Sequence, residues 1–242
     1  REFRETVRGI NPDALIIGEF WRNSEAWLRG DQYDGVMNYG VQRAAVEYFA
    51  KSAITPLRFQ EILTETLMRY SDAANDSMLN LLDSHDTARF LTVSGGDTAR
   101  LRNAAAFLFT FVGMPCTYYG TEIGMTGEND PDCRKAFDWD PAHWDVELRN
   151  YYKKLMSLRK TRKALQEGSV KLCSQGEVFV MERRLEGELL VTAINNTDHP
   201  LSCALSGNAV RDLLNDKVFE GIQNTTVVEI PPFSALILEE IN

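Results

Sequence analysis

The sequence predicts an α/β region of parallel strands and crossover helices, followed by an all-β domain. Two observations predict the first part. Short apolar runs alternate four times with stretches of helical spacing. Two of those runs, Ala14–Ile17 and Leu79–Leu82, stop abruptly at polar clusters, as buried strands do when they deliver side chains at their C-terminal ends. A third observation predicts the second part: beyond about Ala164 the helical period gives way to short strands and turns.

Taken in order, residues 1–9 read as the end of a helix closed by Gly9, with Asn11-Pro12-Asp13 as a turn. Ala14–Ile17 is the first strand, and 21–31 is a polar and aromatic loop. Gly35–Asn38 is a brief second strand, and Val41, Ala44, Ala45, Tyr48 and Phe49 then fall at helical spacing. After Thr55-Pro56 a further helix places Phe59, Ile62, Leu63 and Leu67 on one face, until Asn75 and Asp76 break the chain. The strand Leu79–Leu82 follows. Asp97 or Thr98 can cap the next helix, whose stripe is Leu101, Ala104, Ala105, Leu108, Phe109 and Val112. Gly113-Met114-Pro115 ends it, Cys116–Tyr119 is a short strand, and 120–143 is a long polar loop. Leu148, Tyr151, Tyr152, Leu155 and Leu158 mark a helix that ends in basic residues, as the helix dipole prefers. The all-β part is read from strands at 178–184, 189–194, 201–205, 226–230 and 234–238.

Four strand–helix units do not close an eight-stranded barrel, which takes ~250 residues. The α/β part is therefore an open four-stranded sheet or half of a barrel. In either case Glu19 and Asp86 emerge on one rim, at the ends of parallel strands.

The chain has 242 residues, 44% hydrophobic and 25% charged, as in ordinary globular proteins. A net charge of -9 argues against nucleic acid as a partner. No apolar run is long enough to span a bilayer, so no membrane partner is expected. The chain opens on Arg1-Glu2-Phe3-Arg4, with neither a signal peptide nor an initiator Met, and is expected to start inside a longer protein. The scattered Cys116, Cys133, Cys173 and Cys203 read as reduced thiols, and no spacing suggests a metal site.

Four segments resemble the α-amylase family of glycoside hydrolases, and within it the cyclomaltodextrinase, neopullulanase and maltogenic amylase group. Ile17-Gly18-Glu19-Phe20-Trp21 is similar to the family's fifth barrel strand. The segment Trp27–Tyr39 resembles its sixth-strand region, and Leu82-Asp83-Ser84-His85-Asp86-Thr87-Ala88-Arg89 its seventh-strand motif. Gly113–Gly124, with Asp130-Pro131-Asp132-Cys133-Arg134, resembles the eighth strand and its loop. Arg22 and Gly40 depart from the group, where histidine and proline are common. The resemblance implies an α/β fold that is the C-terminal half (strands 5–8) of a TIM (β/α)8 barrel over residues 1–163. A small antiparallel β-sandwich domain would occupy 164–242.

The same resemblance implies the site. Glu19 would be the general acid/base, its pKa raised by partial burial after an apolar strand. Asp86 would be the transition-state carboxylate, binding sugar hydroxyls more strongly as the oxocarbenium ion develops. His85, Trp21, Arg89, Tyr39 and Arg134 would bind substrate, with Arg89 also holding Asp86. Taken from residue type alone, Glu19 reads rather as a rim glutamate paired with an arginine, and Ser84 or Asp86 can be a helix cap and Arg89 a solvated helix residue. Tyr118 and Tyr119 read as core or sugar-stacking residues. Glu122, Asp130, Asp132 and Arg134 read as loop-ordering ion pairs, and His143 and His199 as surface residues without visible partners.

The family's nucleophilic aspartate sits in a fourth-strand motif with an arginine two residues before it. No such fourth-strand motif occurs here, so the isolated chain is expected to be inactive. The implied parent cleaves α-1,4, and optionally α-1,6, bonds of maltodextrins, cyclodextrins or pullulan, so the partner is an α-glucan oligosaccharide. A 4-α-glucanotransferase and a non-catalytic glucan-binding or assembly piece are the alternatives. No cofactor is required, with calcium an option only in the parent. Open sheet edges would favour a homodimer, and a cytoplasmic location is expected ahead of secretion.

Overall fold

The computed structural model describes residues 1–241. Helix α1 (Glu2–Ile10) runs through Gly9 and ends at Asn11 instead. It leads to two short strands, β1 (Ile17–Gly18) and β2 (Gly35–Val36), which pair in parallel. Asp34 starts this pair: its carboxylate accepts from the Ile16 N–H at 2.8 Å and from Arg4 at 2.8 Å, binding the strand to the helix before it. Gly35 is obligatory, because a Cβ there would overlap the Ser77 carbonyl.

Helix α2 (Tyr39–Ala45) is capped by Asn38 and continues into a wider π-helical turn over Val46–Ala50. Helix α3 (Pro56–Arg69) starts where its chemistry dictates. Pro56 stands in the first turn, and the Thr55 hydroxyl accepts from the Arg58 N–H at 3.2 Å. Residues 75 and 76 do not break the chain as expected. They lie in a short helix, α4 (Asp72–Asp76), where Asn75 donates to the Leu67 and Tyr70 carbonyls.

Strand β3 (Leu79–Asn80) pairs in parallel with β4 (Met114–Pro115), and Met37 bridges to Leu79 in the same sense. Four strands thus follow one another side by side in chain order, all parallel. The last was expected at 116–119. It begins earlier because Gly113, at φ +95, turns the chain at once after the helix, and the Cys116 N–H still reaches the Asn80 carbonyl at 2.7 Å. A buried asparagine relay runs across the strands: Asn38 donates to Asn80 at 2.9 Å, and Asn80 to the Val112 carbonyl at 2.7 Å. Strands β1 and β4 each have one neighbour among the described residues, so both outer edges are open.

Between β3 and β4 lie α5 (Phe90–Val93), which the sequence did not announce, and α6 (Thr98–Thr110). Asp97 caps α6, its Oδ1 accepting from Ala99 and Arg100. Nearly every residue of α6 from Leu101 onward is buried, as suits a helix enclosed on all sides. Helix α7 (Val146–Thr161) is capped by Asp145 and buries Leu148, Tyr152 and Leu155, and the short α8 (Lys163–Glu167) follows.

The remaining strands are β5 (Ser169–Gln175), β6 (Val178–Leu185), β7 (Glu188–Asn195), β8 (Leu201–Ser206), β9 (Ala209–Asp212), β10 (Lys217–Glu220), β11 (Thr225–Ile230) and β12 (Ser234–Glu240). Strands β5, β9 and β10 were not foreseen. Six strands form one sheet in the order β10-β9-β12-β7-β6-β5, with every pairing antiparallel, and β8 pairs with β11. Alternation along β6 sorts its two faces. Val178 and Val180 meet Cys203, Leu205, Val228 and Ile230 of the β8–β11 pair. Phe179 and Met181 point the other way, into a core shared with Phe49 of the π-turn, Phe59 of α3 and Phe107 of α6. Phe59 sits at its centre, 4.7 Å from Tyr48, 5.1 Å from Phe107 and 5.0 Å from Phe179 between ring centroids. Burying such rings in close contact stabilises the fold through apolar burial and through the ring packing itself.

Candidate active site

The parallel strands end on one rim, and two carboxylates meet there. Glu19 leaves β1 and Asp86 leaves the turn after β3. The His85 imidazole stands between them, its Nε2 3.2 Å from Asp86 Oδ2 and 4.0 Å from Glu19 Oε1. Donor atoms of all three lie within 4.8 Å of one another. Two carboxylates and an imidazole so placed can bind sugar hydroxyls, and the same set could hold a divalent cation, which the sequence spacing alone did not suggest.

A hydroxyl relay joins the two acidic positions. The Tyr39 phenol donates to Glu19 Oε1 at 3.3 Å, and its oxygen lies 3.2 Å from Ser84 Oγ. Ser84 Oγ in turn accepts from the Asp86 N–H at 3.2 Å. Burial raises the Tyr39 phenol above its ordinary value, so it keeps its proton for this bond. Tyr39 is 1% exposed, and Trp21 stacks over its ring at 3.8 Å with 12° between planes. The expected role of Tyr39 as a sugar contact is therefore corrected: its face is covered, and its hydroxyl orients Glu19. Trp21, 44% exposed, presents the open aromatic face at this rim. The Glu19 side chain is 45% exposed.

The second correction concerns Arg89. It neither touches Asp86 nor reaches the rim. It is 0% exposed, donates to the Cys133 carbonyl at 3.1 Å and the Tyr119 carbonyl at 2.7 Å, and lies under the Tyr118 and Tyr119 rings. Arg134 stands beside Asp86 instead, meeting Oδ1 at 2.9 Å while its Nε donates to the His85 carbonyl at 2.8 Å. It also pairs with Asp130 at 3.0 Å, so loop ordering and the rim contact coexist in one side chain. Asp132 pairs with Lys135 at 3.0 Å.

Asp83, inside the same motif, was not singled out. It is 2% exposed and accepts from the Phe90 N–H at 2.9 Å and from the Thr121 hydroxyl, which caps α5 and ties it to the β4 loop. Neither Ser84 nor Asp86 makes that cap. Burial pushes the Asp83 carboxyl up to about 6. The signal for it was present: it directly follows an apolar run and precedes the rim residues.

All four cysteines are free. His143 and His199 lie on the surface, yet each has acidic neighbours: Asp138 at 2.8 Å from the first, Asp198 at 3.1 Å and Glu177 at 3.5 Å from the second. Arg29-Gly30-Asp31 has an arginine two residues before an aspartate, but it lies in the loop between β1 and β2, where Asp31 pairs with Arg1 at 2.6 Å. Among the described residues no helix is long and apolar enough to cross a membrane.

The family model described as alpha amylase, catalytic domain, matches residues 1–147. A cyclomaltodextrinase of Thermoanaerobacter pseudethanolicus is 46% identical over 198 residues, which cover 81% of this chain and 34% of that protein. Neopullulanase 2 of Thermoactinomyces vulgaris is 37% identical over 246 residues, covering 98% and 42%. A solved cyclomaltodextrinase structure superimposes with a TM-score of 0.93 at 34% identity, covering 100% of this chain and 42% of its own. The chain spans about two fifths of the length of the relatives it matches.

Proposed function

We propose that this chain, which belongs to the α-amylase family, supplies the acid/base and one assisting carboxylate of a retaining hydrolase acting on α-1,4-linked glucans. The observation that carries the reading is the meeting of Glu19 and Asp86 across His85. One Glu19 oxygen lies within 4.8 Å of one Asp86 oxygen. Glu19 faces outward and protonates the leaving glycosidic oxygen, then accepts a proton from water in the second half of the reaction. Asp86 and His85 hold sugar hydroxyls on the donor side, with Trp21 as the stacking face.

The attacking carboxylate lies outside these residues in this reading, so the chain alone forms no glycosyl intermediate. The four parallel strands then correspond to strands five to eight of a barrel, and the division falls between 1–163 and 164–242, with the β8–β11 pair closing a small sandwich over the large sheet. Their open outer edges are where the missing strands, or a second copy, would add. No catalytic step calls on a metal. Full-length protein carrying Glu19→Gln is expected to bind maltoheptaose and to lose nearly all turnover. Retention of wild-type turnover would sink the assignment, and product analysis of the unmutated enzyme separates hydrolysis from glucosyl transfer.

A further inference from the structure

We propose that Arg89 is a positioning residue: its buried guanidinium is the post around which the loop after β4 folds, and through the Cys133 carbonyl it sets where Arg134 meets Asp86. A fully buried guanidinium is costly unless its donors are matched. Here Nε and Nη1 are matched, both by that one loop, while Nη2 is buried without a hydrogen-bond partner among the described residues and has only the ring faces beside it. Arg89 donates side-chain hydrogen bonds to the Tyr119 and Cys133 carbonyls, and its backbone N–H donates to the Gly127 carbonyl at 2.9 Å. The Tyr118 and Tyr119 rings cover it with centroids at 4.6 and 4.8 Å, close enough for attraction between cation and ring. Three separate points of the loop therefore converge on one side chain and its own backbone.

The residue after Cys133 is Arg134. Its guanidinium bonds the His85 carbonyl and Asp86 Oδ1, and the Cys133 Sγ lies 3.2 Å from that same carbonyl. The path Asp86, Arg89, Cys133, Arg134 and back to Asp86 is closed, with short links throughout. The turn that presents Asp86 is thus also the anchor of the loop that restrains it. Asp86 is held from both sides, by Arg134 on Oδ1 and His85 on Oδ2. Lysine could not replace Arg89, because a compact ammonium lacks the planar fork that reaches two carbonyls while stacking on rings. The bearing of this tether on sugar chemistry rests on the reading of Asp86 given above; the tether itself does not, and the experiment reads the tether.

The test follows arginine Nε–H exchange by NMR in the 242-residue chain. Arg134, which donates to His85, is the reporter. Arg183 of β6, buried and donating from Nε to the Gly168 carbonyl, is the control. In Arg89→Lys the Arg134 Nε–H should exchange about tenfold faster, the acceleration that losing one ordinary hydrogen bond permits, while Arg183 holds its rate. Unchanged Arg134 exchange, or equal acceleration at both sites, overturns the proposal. Arg134→Gln, a change at a half-exposed position, gives an independent answer if the lysine variant does not fold. Arg89 Nε–H should stay protected in it, and loss of that protection would show that Arg89 follows Arg134 and does not set it.

Discussion

Replacing Asp83 by asparagine should flatten the pH dependence of stability between about pH 4 and pH 6. The carboxyl is buried, and burial lifts it from 3.8 to about 6 against the bonds from Phe90 and Thr121 and the nearby Arg89 charge. An acid raised in this way favours its neutral form in the folded chain. Between these two values the folded chain keeps a proton that the unfolded chain has lost. The resulting stabilisation is fully present below 3.8 and is lost as the pH rises through about 6. The interval of about 2 pH units amounts to about 3 kcal/mol by pH 7. Asparagine keeps an oxygen that accepts from the Phe90 N–H and the Thr121 hydroxyl, yet it carries no charge to desolvate. Urea unfolding of both proteins from pH 4 to pH 7.5 measures the effect. The stability of the asparagine variant relative to wild type should rise by about 3 kcal/mol across that range. A difference that is flat with pH, or that falls, would refute the reasoning.

Phe59→Ala removes the ring at the centre of the shared aromatic cluster and should cost about 3–5 kcal/mol by urea unfolding, with one transition and not two. Asn196→Ala should cost about 1–3 kcal/mol, because its buried amide holds the Tyr48 carbonyl at 2.8 Å; thermal unfolding reports it. Gly35→Ala should cost about 3 kcal/mol or fail to fold, since the carbonyl of Ser77 is backbone and cannot turn aside; circular dichroism and solubility decide this.

What could be read beforehand was local. Asp97 and Thr55-Pro56 announce helix starts because a cap acts on amides two or three residues away. The rim placement of Glu19 and Asp86 was legible for the same reason: an apolar strand that stops at a carboxylate carries its own direction. Arg89 was not legible. Whether its guanidinium turned outward or inward was decided by carbonyls up to 44 residues further along the chain. Tyr39 was misread likewise, since only the stacked structure shows Trp21 over its face. Helices α5 and α8, of four and five residues, are too short to display a period. Strands β5 and β10 are the two edges of the large sheet, and their exposed sides carry the lysines, serines and glutamates that hid them.

The face of the large sheet that carries Phe179, Met181 and Ile237 is also a wall of the core formed by α3 and α6. The α/β region and the large sheet thus share one interior as continuous masonry, without a seam that could be opened. A chain cut between them would expose aromatic surface on both pieces, and a homologous sheet grafted in its place would have to match Phe59 and Phe107 ring for ring. Exchange of this C-terminal region between relatives is accordingly limited by the shape of one shared interior.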